Sequence, residues 1–223
     1  MKPTAYVINL DHRVARWEKM QKLWSPFFEL VGIPGVYLPG NGAAGCKMSH
    51  QMVASHFLEK EEPIIVIEDD SEPDPAFAVT WPSAFIEAKH FIRSWDYINC
   101  SPWLDLSSIN LPRARLSVTE AHLFLKSSYS HNTNFVLYNR RSLHLLNDAM
   151  HSPLPLDMFL GCYAKNQWVP IRLLARQDDS PGDIAKPIVD AKQLYALSEQ
   201  MIGDFLGEKK RQMLEDAVNE AKV

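Results

Sequence analysis

Hydrophobic residues in the first third of the chain change between strand-like and helix-like spacing. Residues 5–10 form a short apolar run, which predicts a buried strand, and residues 11–24 then carry apolar side chains at helical spacing. Residues 64–67 are three isoleucines and one valine, which predict a second, central strand that ends in three consecutive acidic residues. The chain therefore opens with the strand-then-helix order of an α/β protein.

The same alternation continues to residue 174. Further strands are predicted at residues 95–100, 121–125, 134–139 and 168–174, and helices at residues 77–92, 141–150 and 156–165. Pro82 lies inside the first of these helices and predicts a break there. Strands that alternate with helices predict a mostly parallel central sheet flanked by helices.

Three segments lack this alternation. Residues 32–45 contain five glycines and two prolines, which predict a loop, and Ser49 then predicts the N-cap of a helix that continues to residue 60. Residues 127–134 are polar and predict a second loop. Residues 101–131 follow neither period clearly, so this is where we expect acceptor-specific structure.

The length of 223 residues fits one α/β domain, which we place at residues 1–190. Residues 191–223 carry apolar side chains at helical spacing, interrupted near Gly203 or Gly207. We expect one or two helices that pack on the domain as an extension. The alternatives are a membrane-surface helix and a helix that binds a partner, such as a second copy of the chain.

Charge and cysteine content argue against several classes of protein without excluding a nucleic-acid partner. The formal net charge is −4 and the basic residues are spread along the chain, so nucleic acid is not favoured as a partner. The three cysteines are odd in number and lack C-x-x-C spacing, which argues against a disulfide framework or a structural zinc site. No stretch approaches the roughly 20 apolar residues that span a bilayer. These features predict a cytoplasmic protein.

The acids that follow the second strand are the strongest chemical signal. Glu68, Asp69 and Asp70 repel one another unless a cation compensates them, and oxygen ligands of this kind suit Mn²⁺ or Mg²⁺. On an extended backbone Glu68 and Asp70 project to one side and Asp69 to the other. Glu68 and Asp70 are therefore the predicted metal ligands. The alternative is a solvated acidic turn. Their place at the carboxyl end of a buried strand favours a ligand site.

Several motifs together resemble the signatures of family 25 glycosyltransferases, over roughly residues 5–184. They are residues 7–11 with Arg13, Arg16 and Trp17, then Gly45-Cys46 with Ser49-His50, then residues 64–70, 95–97, 155–157 and 177–180. This resemblance implies a GT-A-like nucleotide-sugar-binding fold, a UDP-sugar donor, inversion at the anomeric carbon, and a role such as lipopolysaccharide biosynthesis. Family members usually carry a Gly-Ala pair where this chain has Arg140-Arg141, so the acceptor side departs from the pattern.

The resemblance also assigns residues to roles. The implied donor-binding residues are Asn9, Asp11, Arg13, Gly45, Cys46, Ser49, His50, Asp69, Gln177 and Ser180. Asp157 is the implied general base, and Glu68 is the second implied catalytic residue. Each has a plainer alternative: Asp157 could be a helix cap, Asn9 and Asp11 turn residues, and Cys46 and His50 buried structural residues.

These observations predict a metal-dependent inverting glycosyltransferase that moves a sugar from a UDP-sugar to a hydroxyl acceptor. One alternative is a non-catalytic module of the same fold that binds a glycan or a partner. Another is transfer to a non-glycan acceptor, such as a protein hydroxyl or a modified nucleobase. The sequence does not separate these acceptors.

Overall fold

The computed structural model describes residues 2–58, 62–91, 95–107, 113–118, 122–178 and 190–220, with side chains described up to residue 209. Ten strands and six helices lie in these ranges. In chain order they are β1 (Thr4–Asn9), α1 (Val14–Trp24), β2 (Glu29–Pro34), α2 (Gly42–Phe57), β3 (Ile64–Glu68), β4 (Ser71–Pro73), α3 (Phe77–His90), β5 (Tyr97–Asn99), β6 (Leu116–Val118), β7 (Phe124–Ser127), β8 (Phe135–Tyr138), α4 (Arg140–Ala149), α5 (Leu156–Tyr163), β9 (Gln167–Pro170), β10 (Ala175–Gln177) and α6 (Ala191–Glu220).

Eight strands form the central sheet, in the order β2-β1-β3-β8-β5-β9-β7-β6. The pairs β1–β2, β1–β3 and β5–β9 are parallel, whereas β8 is antiparallel to both its neighbours and β7 to both of its own. Six of the eight strands therefore run in one direction and two in the other. The predicted class, an α/β protein with a mostly parallel sheet flanked by helices, is confirmed. Strands β4 and β10 form a separate antiparallel pair.

The core lies on both faces of the sheet, because residues 64–67 of β3 are all apolar and buried, and they face both sides. Ile65 and Ile67 pack with the aromatic side chains of α1 and α3, including Trp24 and Trp81. Ile64 and Val66 face the opposite way and pack with α2, α4 and α5. Successive side chains on a strand point to opposite faces, so one short run supports two layers of helices. The end of β3 is thereby fixed in the middle of the molecule.

Helix α2 begins earlier than predicted. It starts at Gly42, and Asn41 is its N-cap, with the side-chain oxygen 3.2 Å from the backbone nitrogen of Ala44. Ser49 therefore lies inside the helix, and its predicted role as N-cap is wrong. The glycines of this region misled the prediction. Gly45 is required inside the helix, since a Cβ there would lie 2.4 Å from the Val36 carbonyl oxygen.

Helix α3 is continuous through Pro82, so the predicted break is also wrong. Proline removes one backbone hydrogen bond from a helix and disturbs the preceding turn. Buried residues on both sides of it, Phe77 and Trp81 before and Ala84 and Ala88 after, pack in the same core cluster. Their burial outweighs the local cost, because each large apolar side chain contributes about 1.5–3 kcal/mol when buried.

Helix α6 is a single helix of 30 residues, without an interruption at either glycine. Its buried residues Tyr195, Met201 and Ile202 belong to one core cluster with Leu125 of β7 and Val169 of β9. The boundary at residue 190 stays a prediction, because residues 179–189 lie outside the described ranges. Within those ranges, no helix is long and apolar enough to cross a membrane.

Candidate active site

The predicted acidic triplet lies where β3 ends, beside the end of its parallel neighbour β1. Glu68 is the last residue of the strand, and Asp69 and Asp70 form a turn. Strict alternation of the three side chains, which assumed an extended backbone, therefore stops at Glu68. Asp69 turns toward α1, where its Oδ1 atom lies 2.6 Å from the guanidinium of Arg16 and 3.5 Å from that of Arg13.

Side chains of α2 and of the segment before β8 hold Glu68 in place. Its Oε1 atom accepts a hydrogen bond from Thr133 Oγ1 at 2.7 Å and lies 3.2 Å from His50 Nε2. Cys46 Sγ is 3.8 Å from the same oxygen. Burial alone would raise the pKa of Glu68, but the hydrogen bonds from His50 and Thr133 hold it below its ordinary value. Glu68 is therefore ionised at neutral pH.

Asp70 lies beside Glu68, but its surroundings disfavour the ionised form of its carboxyl group. Its two oxygens accept hydrogen bonds from Asn134 Nδ2 at 2.5 Å and from Gln177 Nε2 at 2.9 Å, and Arg16 is 3.7 Å away. Burial, together with the negative charges of Glu68 and Asp69, raises the pKa of Asp70 to about 7. The positive charge around Asp70 is thus too weak to offset its burial and its acidic neighbours.

Asp157 lies in the first turn of α5, two residues after the N-cap Pro155, so it is not the cap itself. Its Oδ2 atom is 3.0 Å from His131 Nδ1 and accepts from the backbone of Asn132 at 3.3 Å, and Oδ1 accepts from the backbone of Met158. Burial would raise the pKa of Asp157, but these interactions hold it below its ordinary value. The side chain remains 26% exposed, so the ionised carboxylate is open to a ligand.

The segment of residues 131–134 contacts three of these four acids, and none of its residues is among the predicted site residues. His131 and the backbone of Asn132 contact Asp157, Thr133 contacts Glu68, and Asn134 contacts Asp70. Asn132 adopts a left-handed backbone with φ of 73°. This conformation is uncommon outside glycine and marks a constrained position. Four polar residues directly before the buried strand β8 were the available signal, and they were interpreted as a loop.

The remaining predicted residues lie near the same edge of the sheet. Asn9 ends β1, and its buried Oδ1 atom has no hydrogen-bond partner in the part of the chain that the structure describes. Asp11 is exposed in the turn that follows. Ser49 is buried, donates to the Gly45 carbonyl and accepts from the backbone of Val36. Ser49 and Gly45 therefore hold α2 against the preceding loop.

The predicted site residues thus divide into three groups. One connected network contains Glu68, Asp69, Asp70, Asp157, Arg13, Cys46, His50 and Gln177. Asn9, Asp11, Gly45 and Ser49 lie beside it or support it. Ser180 lies outside the described residues.

The chemistry of the site suits a divalent cation with oxygen ligands. The charges of Glu68 and Asp69 raise the pKa of Asp70, Glu68 acts in the same sense on Asp69, and the charge of Asp157 acts on Glu68. A cation between carboxylates removes this repulsion, and Mn²⁺ and Mg²⁺ prefer such ligands. The residues present therefore fit the predicted metal.

Comparisons with known proteins give little beyond this geometry. No protein-family model matches the chain, and no curated protein matches it. One similar solved structure is the crystal structure of a glycosyltransferase involved in the glycosylation of the major capsid of PBCV-1. It is 12% identical, the match covers 73% of this chain and 76% of that one, and the TM-score is 0.45. At this level of similarity, a function has to be argued from the site itself.

Proposed function

We propose that the chain is a metal-dependent inverting glycosyltransferase, which moves a sugar from a UDP-sugar to a hydroxyl acceptor. The observation that carries the proposal is the meeting of Glu68, Asp70 and Asp157 at one edge of an α/β sheet, joined by residues 131–134. In sheets of this class, ligands bind at the carboxyl ends of the strands. Three acids at this edge of the sheet, each with different hydrogen-bond partners, are typical of a catalytic site rather than of a structural salt bridge.

Glu68 and Asp70 would hold the cation, which when bound neutralises the charge that develops on the leaving nucleoside diphosphate. Asn134 and Gln177 orient Asp70, while His50 and Thr133 orient Glu68. Both carboxylates are thereby held in place before a ligand arrives, which limits the cost of ordering them.

Asp157 is the best-placed general base. It accepts three hydrogen bonds, which keep it ionised, and its side chain is 26% exposed, compared with 21% for Glu68 and 9% for Asp69 and Asp70. A base removes the acceptor proton while the acceptor oxygen attacks the sugar, so a single displacement inverts the anomeric carbon. The reaction needs no covalent intermediate on the protein.

Arg13 and Arg16 have a supporting role in this proposal. Both lie at the start of α1, and both pair with Asp69. Arginine recognises phosphate through several fixed donors, so the two side chains are suited to a diphosphate at this edge. Asp69 would then position the arginines rather than bind the cation.

Hydrolysis of nucleotide sugars tests the proposal directly. The protein, freed of metal with EDTA, is incubated with UDP-, GDP- and CMP-sugars, with and without Mn²⁺, and the released nucleotide is measured. We expect release from a UDP-sugar that requires Mn²⁺ or Mg²⁺. Release that persists after chelation would contradict metal dependence, and release from only a GDP- or CMP-sugar would contradict the proposed donor.

A further inference from the structure

Three potential metal ligands of different chemistry lie close together, and one of them, Glu68, also belongs to the proposed cation site. The ligand atoms of Cys46, His50 and Glu68 all lie within 4.8 Å of one another. Glu68 Oε1 is 3.2 Å from His50 Nε2 and 3.8 Å from Cys46 Sγ. The group combines a sulfur, an imidazole nitrogen and a carboxylate oxygen, whereas the cation proposed above needs oxygens only.

The three side chains are held in fixed positions. Cys46 and His50 are four residues apart on α2, so they lie on one face of the helix. His50 is fully buried, and its other ring nitrogen, Nδ1, lies 3.0 Å from the hydroxyl of Tyr138. Metal-binding histidines usually donate a hydrogen bond from the other ring nitrogen, which fixes the tautomer and the orientation of the ring.

The spacing suits tetrahedral zinc. Bonds of about 2.0 Å to nitrogen or oxygen and about 2.3 Å to sulfur place neighbouring ligand atoms about 3.3–3.5 Å apart. The observed separations of 3.2 Å and 3.8 Å from Glu68 Oε1 lie close to these values. Thiolate and imidazole ligands favour Zn²⁺ over Mn²⁺ and Mg²⁺, which prefer oxygen.

We propose that Cys46, His50 and Glu68 form a zinc-binding site, in which the Cys46 thiol releases its proton to solvent when zinc binds and a water molecule completes the coordination. Three protein ligands leave the fourth position to water, unlike structural zinc sites, whose four ligands all come from the protein. Since Glu68 belongs to both sites, Zn²⁺ would withdraw it from Mn²⁺ and lower sugar transfer. This last consequence rests on the proposed function, whereas zinc binding does not.

Cobalt substitution tests the site without an activity assay. Chelator-treated protein is titrated with Co²⁺, and the near-ultraviolet absorption that arises from charge transfer between a thiolate and cobalt is recorded. We expect a band that saturates near one equivalent of Co²⁺ and disappears when Zn²⁺ is added. Cys162→Ala is the matched control, because that cysteine is exposed and lies on α5, so the band should remain.

Cys46→Ala should abolish the band. Cys46→Val, which keeps an apolar side chain of similar size, should do the same if the alanine variant is unstable, and circular dichroism checks that either variant is folded. A wild-type protein without the band, or a band that survives loss of the Cys46 sulfur, would overturn the proposal.

An added measurement separates this site from the proposed function. If the band is present and Mn²⁺-dependent transfer is inhibited by Zn²⁺, both proposals are supported. If the band is present but no transfer occurs with any donor, the zinc site stands and the glycosyltransferase proposal fails. If transfer occurs but the band is absent, the zinc site fails and the glycosyltransferase proposal stands.

Discussion

Asp157 is the residue whose role can be separated most sharply from its neighbours. Asp157→Asn keeps one oxygen, which can accept from the backbone of either Asn132 or Met158, but it cannot take up a proton. We expect acceptor-dependent transfer to fall on the order of 10²–10⁴-fold, the usual contribution of a general base. Affinity for UDP, measured by calorimetry on the same preparation, should stay unchanged. Full transfer activity in this variant would mean that another group is the base.

Asp70 should behave differently, because it is proposed to hold the cation. Asp70→Asn removes a metal carboxylate and also relieves the repulsion with Glu68 and Asp69 that raises its pKa. We expect transfer to be lost and the free energy of unfolding in the absence of metal to be equal or higher. Steady-state kinetics across a range of Mn²⁺ concentrations and denaturant unfolding measure the two effects.

Glu72→Gln is the control for that experiment. Glu72 is close in sequence but 48% exposed, and it pairs with Lys19. Exposed pairs contribute about 0–1 kcal/mol, so neither activity nor stability should change much. Equal loss of transfer in both variants would indicate a general effect of removing charge and would contradict a metal-binding role for Asp70.

At the level of single residues, the acids of the site are predicted from the sequence, but the residues that form hydrogen bonds to them are not. Glu68 and Asp70 are predicted from a local pattern, carboxylates at the end of a buried strand, whereas the role of Asp157 is implied by the family resemblance. Thr133 and Asn134 lie 65 and 64 residues from the acids they contact, so no local pattern reveals the pairing. Gln177 was predicted as a donor-binding residue, yet in this structure its side chain contacts Asp70.

Helix α6 contributes to the site through one hydroxyl. Tyr195 Oη accepts hydrogen bonds from the backbone of Gln177 at 2.8 Å and from Asn132 Nδ2 at 2.8 Å, which leaves its own hydrogen for Ser101 Oγ. Gln177 supports Asp70, and Asn132 supports Asp157. A single buried side chain of the C-terminal helix therefore braces the supports of both acids.

Tyr195→Phe tests this connection between an element and the site. Loss of the hydroxyl leaves buried donors unpaired, which costs about 1–3 kcal/mol of stability. We expect kcat to fall by roughly tenfold, the effect of about 1.4 kcal/mol on a barrier, because Asp70 and Asp157 lose their fixed orientation. Tyr163→Phe on α5 is the control, since that tyrosine is 56% exposed. A Tyr195 variant that is less stable but keeps wild-type kcat would limit the helix to a packing role.

The elements themselves were largely predictable, and the exceptions have physical causes. Strands β1 and β3 and helix α4 were predicted from periodicity, because each has a clear apolar pattern that its burial in the fold requires. Strand β2 was missed, since it lies at the edge of the sheet and most of its residues are exposed or half-buried. Helix α2 was predicted too short because glycine is a weak helix former, and packing against Val36 overrides that preference.

For the whole molecule, pattern predicted the fold class but not the sheet order. Alternation of strands and helices implies parallel neighbours, whereas β8 enters the sheet between β3 and β5 in the opposite direction. This reversal brings residues 131–134, which precede β8, to the edge where β3 ends. Glu68 and its partner Thr133 meet only because of that topology, which depends on contacts far apart in sequence.

Ligand binding should stabilise the entire fold, because the site joins β3, α2, α5, β10 and residues 131–134. A ligand that binds only the folded state at about 100 times its dissociation constant adds ~2.7 kcal/mol to the free energy of unfolding. We expect UDP with Mn²⁺ to give an increase of about this size, and each alone a smaller one, because a cation held by Glu68 and Asp70 would offset the charge of the diphosphate. Denaturant unfolding at fixed protein concentration measures it, with CMP as the control nucleotide.

Asp70→Asn makes this last experiment specific to the proposed cation site. If Asp70 holds Mn²⁺, the variant should lose the part of the stabilisation that requires both ligands, while UDP alone should act on it as on the wild type. Because the measurement involves no acceptor, it tests the donor side separately from Asp157. Stabilisation by UDP and Mn²⁺ that is the same in the variant and the wild type would place the cation elsewhere. An unfolding midpoint of the wild type that does not respond to UDP would contradict nucleotide-sugar binding at this edge of the sheet.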